Sequence, residues 1–174
     1  IAIIFYSPMI SIRNATLEDL FTLANITKEA YGGSALDIET LERYFTIQPD
    51  GALLASFNNE PAGMMFIFDY QTFSSICVLG VLPAFQGKGI GRGLLEHAED
   101  WANRRGISAF ILDATNDGAR LYEKLGYRDE DMSYRVNLKQ QQNYQVPTMI
   151  ESATLNHLSE IVAFDAPIFG ANRT

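Results

Sequence analysis

The sequence predicts an α/β (α+β) protein: a mixed, mostly antiparallel central sheet of six to seven strands, about four flanking helices and a C-terminal helical tail. Three observations carry this. Residues 52–82 hold three apolar runs broken by short turns, the pattern of a meander. Helical periodicity flanks the meander, over 16–32 and 37–48 before it and 90–105 after it. Strand and helix patterns then alternate to residue 138.

In chain order, "ISIRNAT" (10–16) alternates as a strand. In the helix that follows, Leu17, Leu20, Leu23, Ala24 and Ile26 share one side. Thr16 with Asp19 makes an approximate capping box, and Gly32-Gly33 ends the helix. A second helix (37–48) stops at Pro49-Asp50-Gly51. Strands follow at 52–58, 62–71 and 73–82, with Asn58-Asn59-Glu60-Pro61 as a turn and Pro83 closing the third. Ile90, Leu94, Leu95, Ala98, Trp101 and Ala102 lie at helical spacing before Gly106. The mostly apolar run 107–115 reads as a strand buried on both faces. A short helix (117–127) ends at Gly126, and 131–138 alternates as a last strand. Residues 139–145 are polar and linker-like, and a further helix falls near 154–164.

The chain has 174 residues, 47% hydrophobic and 20% charged, which suits one domain with an appendage. A net charge of −8 excludes recruitment of nucleic acid or anionic membrane by the global field and favours cationic partners such as amines. Cys77 stands alone, so no disulfide framework or cysteine zinc cluster forms, and no metal is expected. His97 and His157 sit in separate helical patterns, which gives a histidine metal site or a serine–histidine triad no support. The apolar start "IAIIFYSP" (1–8) is too short to span a bilayer and lacks a basic n-region. It reads as an extension ahead of a start near Met9, and a cytoplasmic location is expected.

Residues 86–93, "QGKGIGRG", put four glycines before a helix. A helix start offers unpaired N–H groups and a positive dipole end, and glycines let a phosphate reach the backbone. The loop is not a Walker A motif, because Lys88 precedes Gly89 rather than Ser or Thr. It is not a dinucleotide fingerprint either, because Arg92 or Leu94 stands where glycine is required.

The stretch "VLPAFQGKGIGRGLL" resembles the acetyl-CoA loop of the GNAT superfamily of N-acetyltransferases, whose signature is Arg/Gln-x-x-Gly-x-Gly/Ala after a strand ending in Val-x-Pro. Gln86, Gly89 and Gly91 match the signature, Val81 and Pro83 match the strand end, and the element order fits across residues 10 to 138. The resemblance implies that residues 9–138 form the acetyltransferase domain, with acetyl-CoA as cosubstrate. Its pyrophosphate would lie on the backbone of Gly87, Lys88, Gly89, Ile90 and Gly91, with Lys88 and Arg92 near the phosphates. The pantetheine arm would pair with Leu79, Gly80 and Val81, where two central parallel strands splay apart between "ICVLGV" and "AFILDA".

The resemblance also implies that Tyr122, in "LYEKLGY", is the acid that protonates the departing thiolate. Packing of Tyr122 with Leu121 and Leu125 in the core is the competing reading. The match departs from the family in one place: the usual asparagine that contacts pantetheine is Thr115, with Asn116 one residue later and Gly118 in place of alanine. The stretch is more similar to a subgroup with an "LDAT-x-x-G…LYEKLGF" pattern, in which Thr115 replaces the amide contact and Asp113 ties the strand end. No carboxylate stands at Ile76, Cys77 or Val78, where many relatives carry a general base. Glu29, Tyr31, Asp69 and Tyr70 remain candidates acting through water, and a buried Cys77 is the default for a strand cysteine.

The end, "IVAFDAPIFGANRT", resembles the start of a second GNAT-like domain, so 139–174 reads as linker and tail. The expectation is that 146–170 docks on its own domain or on a partner copy, as in a homodimer. The resulting reading is transfer of acetyl to a primary amine of a small molecule. A peptide amine as acceptor, a non-catalytic acyl-CoA-binding or regulatory module, and a generic nucleotide-binding module are its rivals.

Overall fold

The computed structural model describes residues 9–33, 36–133 and 150–173. Within them a sheet runs in the order β1 (Ile10–Asn14), β2 (Ala52–Phe57), β3 (Glu60–Asp69), β4 (Ser74–Val81), β5 (Phe110–Leu112). The first four strands pair antiparallel, and β5 joins β4 in parallel. Helices α1 (Leu20–Ala30) and α2 (Ile38–Ile47) cover one face. Helices α3 (Ile90–Asn103) and α4 (Asn116–Lys124) cover the other.

The two-sided cover explains why the meander strands read as nearly unbroken apolar runs. In β3, Met65 and Ile67 pack toward α3, while Met64, Phe66 and Phe68 pack toward α1 and α2. All five are buried. Thr16 and Asp19 form the expected capping box, on a short 3₁₀ turn (Leu17–Asp19) ahead of α1. The Asp19 carboxylate also pairs with Arg13 on β1 at 2.7 Å.

At the far end of α3, the Trp101 indole N–H and the Arg105 guanidinium both donate to Asp50. Arg105 stacks on the Trp101 ring at 3.8 Å, so the α2–β2 turn is tied to the helix.

Two expectations need correction, and the strand expected over 131–138 lies mostly outside the described residues. The described residues hold five strands rather than six or seven: residues 131–133 are not strand, and 134–138 lie outside the described residues. The run 107–115 pairs only over Phe110–Leu112 and is not buried on both faces. Phe110 and Leu112 pack under α3 and α4, but Ile111 points to the opposite face and is 55% exposed there. Cys77, expected buried, is exposed for the reason given below.

The tail forms helix α5 (Leu158–Phe169), longer than its periodicity suggested, entered through a 3₁₀ turn (Leu155–His157). Its end docks on the β3–β4 turn. Phe169 stacks edge-on against Tyr70 at 5.1 Å and lies 5.5 Å from Phe73, and Thr72 donates to the Gly170 carbonyl. The rest of α5 leaves Leu158, Ile161, Phe164 and Ile168 exposed.

Candidate active site

The site grows from one irregularity in β4. The β3–β4 register runs Ile67 to Ile76 and then Phe66 to Val78, so Cys77 is an extra residue in a β-bulge. The bulge lifts Cys77 out of the ladder and bends the strand, which is why its side chain is exposed. Burial of the sulfur is still the first cause that raises the thiol pKa, with a hydroxyl contact to Ser75 at 3.9 Å opposing it.

Pairing with β5 stops at the same level, at Ile76 with Leu112. β4 runs on to Val81 without a β5 partner. The extra residue also reverses which backbone groups face outward. Leu82 donates to Ala62 on β3, so Gly80 points the same way, and Leu79 and Val81 turn their backbone groups toward the opening. Two side chains meet those groups: Tyr31 Oη donates to the Leu79 carbonyl at 2.7 Å, and Gln86 Nε2 donates to that of Val81 at 3.2 Å.

The glycine loop sits beyond the end of β4 and its four glycines divide into two kinds. Gly87 (φ 74°) and Gly89 (φ 87°) hold left-handed backbone, and Gly89 is the N-cap of α3. No side chain caps that helix, so the amides of Ile90, Gly91 and Arg92 have no intrahelical acceptor. Gly91 and Gly93 instead face the core, where a Cβ would stand 3.0 Å from Leu121 Cδ2 and 3.1 Å from Ile12 Cδ1 respectively. The bareness of the loop thus serves an open cradle at 87–89 and close packing of α3 at 91 and 93. Lys88 stacks over Phe57 (4.7 Å) and Phe85 (5.1 Å), and Arg92 pairs with Glu96 at 2.7 Å.

Across the opening, Thr115 caps α4 by accepting from the Gly118 amide at 3.2 Å, and Asn116 is exposed in the first turn. Tyr122, 9% exposed, lies against Tyr127 with ring centroids 5.6 Å apart. Its pKa is pushed up to about 12, first by burial and then by Tyr31. Core packing, the competing reading of this side chain, is therefore present. Asp113 accepts from the Ser133 hydroxyl at 2.9 Å and ties the end of β5, as expected.

The candidate bases divide. Asp69 is engaged by Arg105 (3.7 Å), Tyr70 stacks on the docked tail, and Glu29 is exposed on α1. Tyr31 alone reaches the opening. Sequence reasoning placed it only as a base acting through water; its contact with β4, 48 residues away, shows only in the structure. The parts fit a phosphorylated acyl carrier with an extended amide arm: an uncapped helix start and an outward strand edge leading from it.

Known proteins resemble this chain in sequence and fold. A family model described as the acetyltransferase (GNAT) family matches residues 17–127. An uncharacterised N-acetyltransferase of Chlorobaculum tepidum is 27% identical over 124 residues, covering 71% of this chain and 78% of its own. A crystal structure of a Pyrococcus horikoshii chain assigned to the acetyltransferases superposes with a TM-score of 0.80 at 31% identity. That match covers 97% of this chain, which spans 60% of the longer Pyrococcus chain. The PaiA N-acetyltransferase of Thermoplasma acidophilum, solved in complex with coenzyme A, shares the fold with a TM-score of 0.62 at 22% identity, covering 72% of this chain and 93% of its own.

Proposed function

The chain belongs to the acetyltransferase (GNAT) family, and from that premise we propose that it transfers acetyl from acetyl-CoA to a primary amine of a small molecule, with Tyr122 as general acid. The observation that carries the reading is the fork itself: β4 leaves β5 at Ile76, exposes its edge at Leu79 and Val81, and leads to an uncapped helix start.

Acetyl-CoA supplies the activated thioester. The chain's contribution is placement and one proton. The amides from Gly89 to Arg92 meet the pyrophosphate at the positive end of α3. The edge of β4 would hold the arm extended, and Tyr122 would supply the proton donor at its acyl end. Attack of the amine nitrogen forms the C–N bond and breaks the C–S bond. The Tyr122 hydroxyl donates to the leaving sulfur and is reprotonated from solvent, while the amine's surplus proton leaves through water. With a pKa near 12 this hydroxyl is always a donor and never the base at neutral pH. The exposed thiol of Cys77 lies at the closed end of the fork, but direct attack needs no covalent enzyme intermediate.

The test is release of free CoA from acetyl-CoA across a panel of amines, with the melting temperature followed as acetyl-CoA is added. Stabilisation by acetyl-CoA together with amine-dependent release supports the reading. Stabilisation with no release from any amine supports a binding module instead. Absence of acetyl-CoA binding overturns both.

A further inference from the structure

We infer that Tyr31 is a displaceable stopper on the free edge of β4, competing with the arm of an acyl-CoA for the Leu79 carbonyl and so setting cosubstrate affinity. The inference rests on the acetyl-CoA reading above.

The geometry is specific. An added strand lies about 4.8 Å from its neighbour and puts its amide nitrogen about 2.9 Å from the carbonyl it bonds. Tyr31 Oη stands 2.7 Å from the Leu79 oxygen, in the place of that donor. The tyrosine thus satisfies a strand-edge acceptor that would otherwise wait for a ligand.

Two further features let it come and go. Gly80 gives it room: a Cβ there would meet Ala30 Cβ at 3.2 Å and Tyr31 Cε2 at 3.8 Å, so a side chain on β4 would push the end of α1 away. Tyr31 is also the C-cap of α1, and Gly32 and Gly33 follow it at φ 65° and 103° with no atom within 4 Å of either added Cβ. The ring is 39% exposed, so withdrawing it opens no cavity in the core. Burial raises the pKa of its hydroxyl, which keeps it a donor at neutral pH.

The test is calorimetric binding of CoA and of adenosine 3′,5′-bisphosphate, which lacks the arm, to the wild type and to Tyr31→Phe. The phenylalanine keeps the ring packing and removes only the hydroxyl. One neutral hydrogen bond to be broken corresponds to roughly 5-fold in affinity. CoA is expected to bind Tyr31→Phe about 5-fold more tightly, with the bisphosphate unchanged. Equal or weaker CoA binding by the variant, with the wild type binding normally, overturns the inference and leaves the acetyltransferase reading standing. Equal tightening of both ligands also overturns it, because the site would then only have loosened. A wild type that binds no CoA strikes the acetyltransferase reading itself.

Discussion

Tyr122 combines two properties that sequence patterns treat as rivals. It is packed in the core against Tyr127, and the proposed reaction asks its hydroxyl for a proton. Tyr122→Phe should keep the packing and remove the proton. CoA affinity measured by calorimetry should be retained, while kcat falls about 10²-fold or more. Unchanged turnover would remove Tyr122 from the chemistry. A second residue, Asp19, carries a pH signature. Its hydrogen bond with Arg13 is the first cause holding the carboxyl at about 2, below the ordinary carboxylate value. The folded state therefore binds this proton less tightly than the unfolded chain. The stabilisation is complete above about pH 4, the ordinary unfolded value, and is lost as pH falls toward 2. Asp19→Asn should flatten the slope of stability against pH over that interval, as followed by urea denaturation.

At the scale of elements, α3 is anchored at both ends by different means. Its start rests on glycines that let it approach β1 and α4, and its end is fastened through Trp101 and Arg105 to Asp50. Asp50→Ala removes the acceptor shared by both donors and should cost about 1–2 kcal/mol, nearer the lower figure because the carboxylate is partly solvated. Chemical denaturation measures it. The elements themselves were largely legible in sequence, since apolar periodicity and the Thr16–Asp19 cap mark α1 to α4 and the meander. The bulge was not legible: "SSICVLG" has no feature that distinguishes an inserted residue from a paired one. Nor was the reach of Tyr31, because contact between residues 31 and 79 is a product of tertiary packing. The glycine loop was half legible. An open backbone ahead of the helix followed from composition, but the left-handed turns at Gly87 and Gly89 and the core-facing role of Gly91 and Gly93 needed the structure.

For the whole molecule, Phe169 fastens the described part of the tail to the sheet. Phe169 fills the angle between Tyr70 and Phe73, and Arg173, paired with Asp165, covers its outer face at 4.2 Å. Phe169→Ala should release α5 without unfolding the sheet. Limited proteolysis would then cut within 150–173 faster in the variant, while acetyl-CoA stabilisation persists. If the variant is cut no faster, the aromatic contact is not what holds the tail. Among the described residues no helix is long and apolar enough to cross a membrane.

The extra residue at 77 behaves as a frameshift written into a strand. Upstream of it one set of positions faces β5; downstream the parity is inverted and Leu79 and Val81 face the fork. Identity at this position is therefore cheap and length is dear. Cys77→Ser should leave stability within ~0.5 kcal/mol, since the side chain is exposed. Deleting Cys77 should do what no substitution there can. It would turn the outward groups of Leu79 and Val81 into β3, bring every later side chain of β4 to the wrong face, and abolish both the soluble fold and acetyl-CoA binding. Soluble expression and a thermal shift with acetyl-CoA would separate the two variants in one experiment.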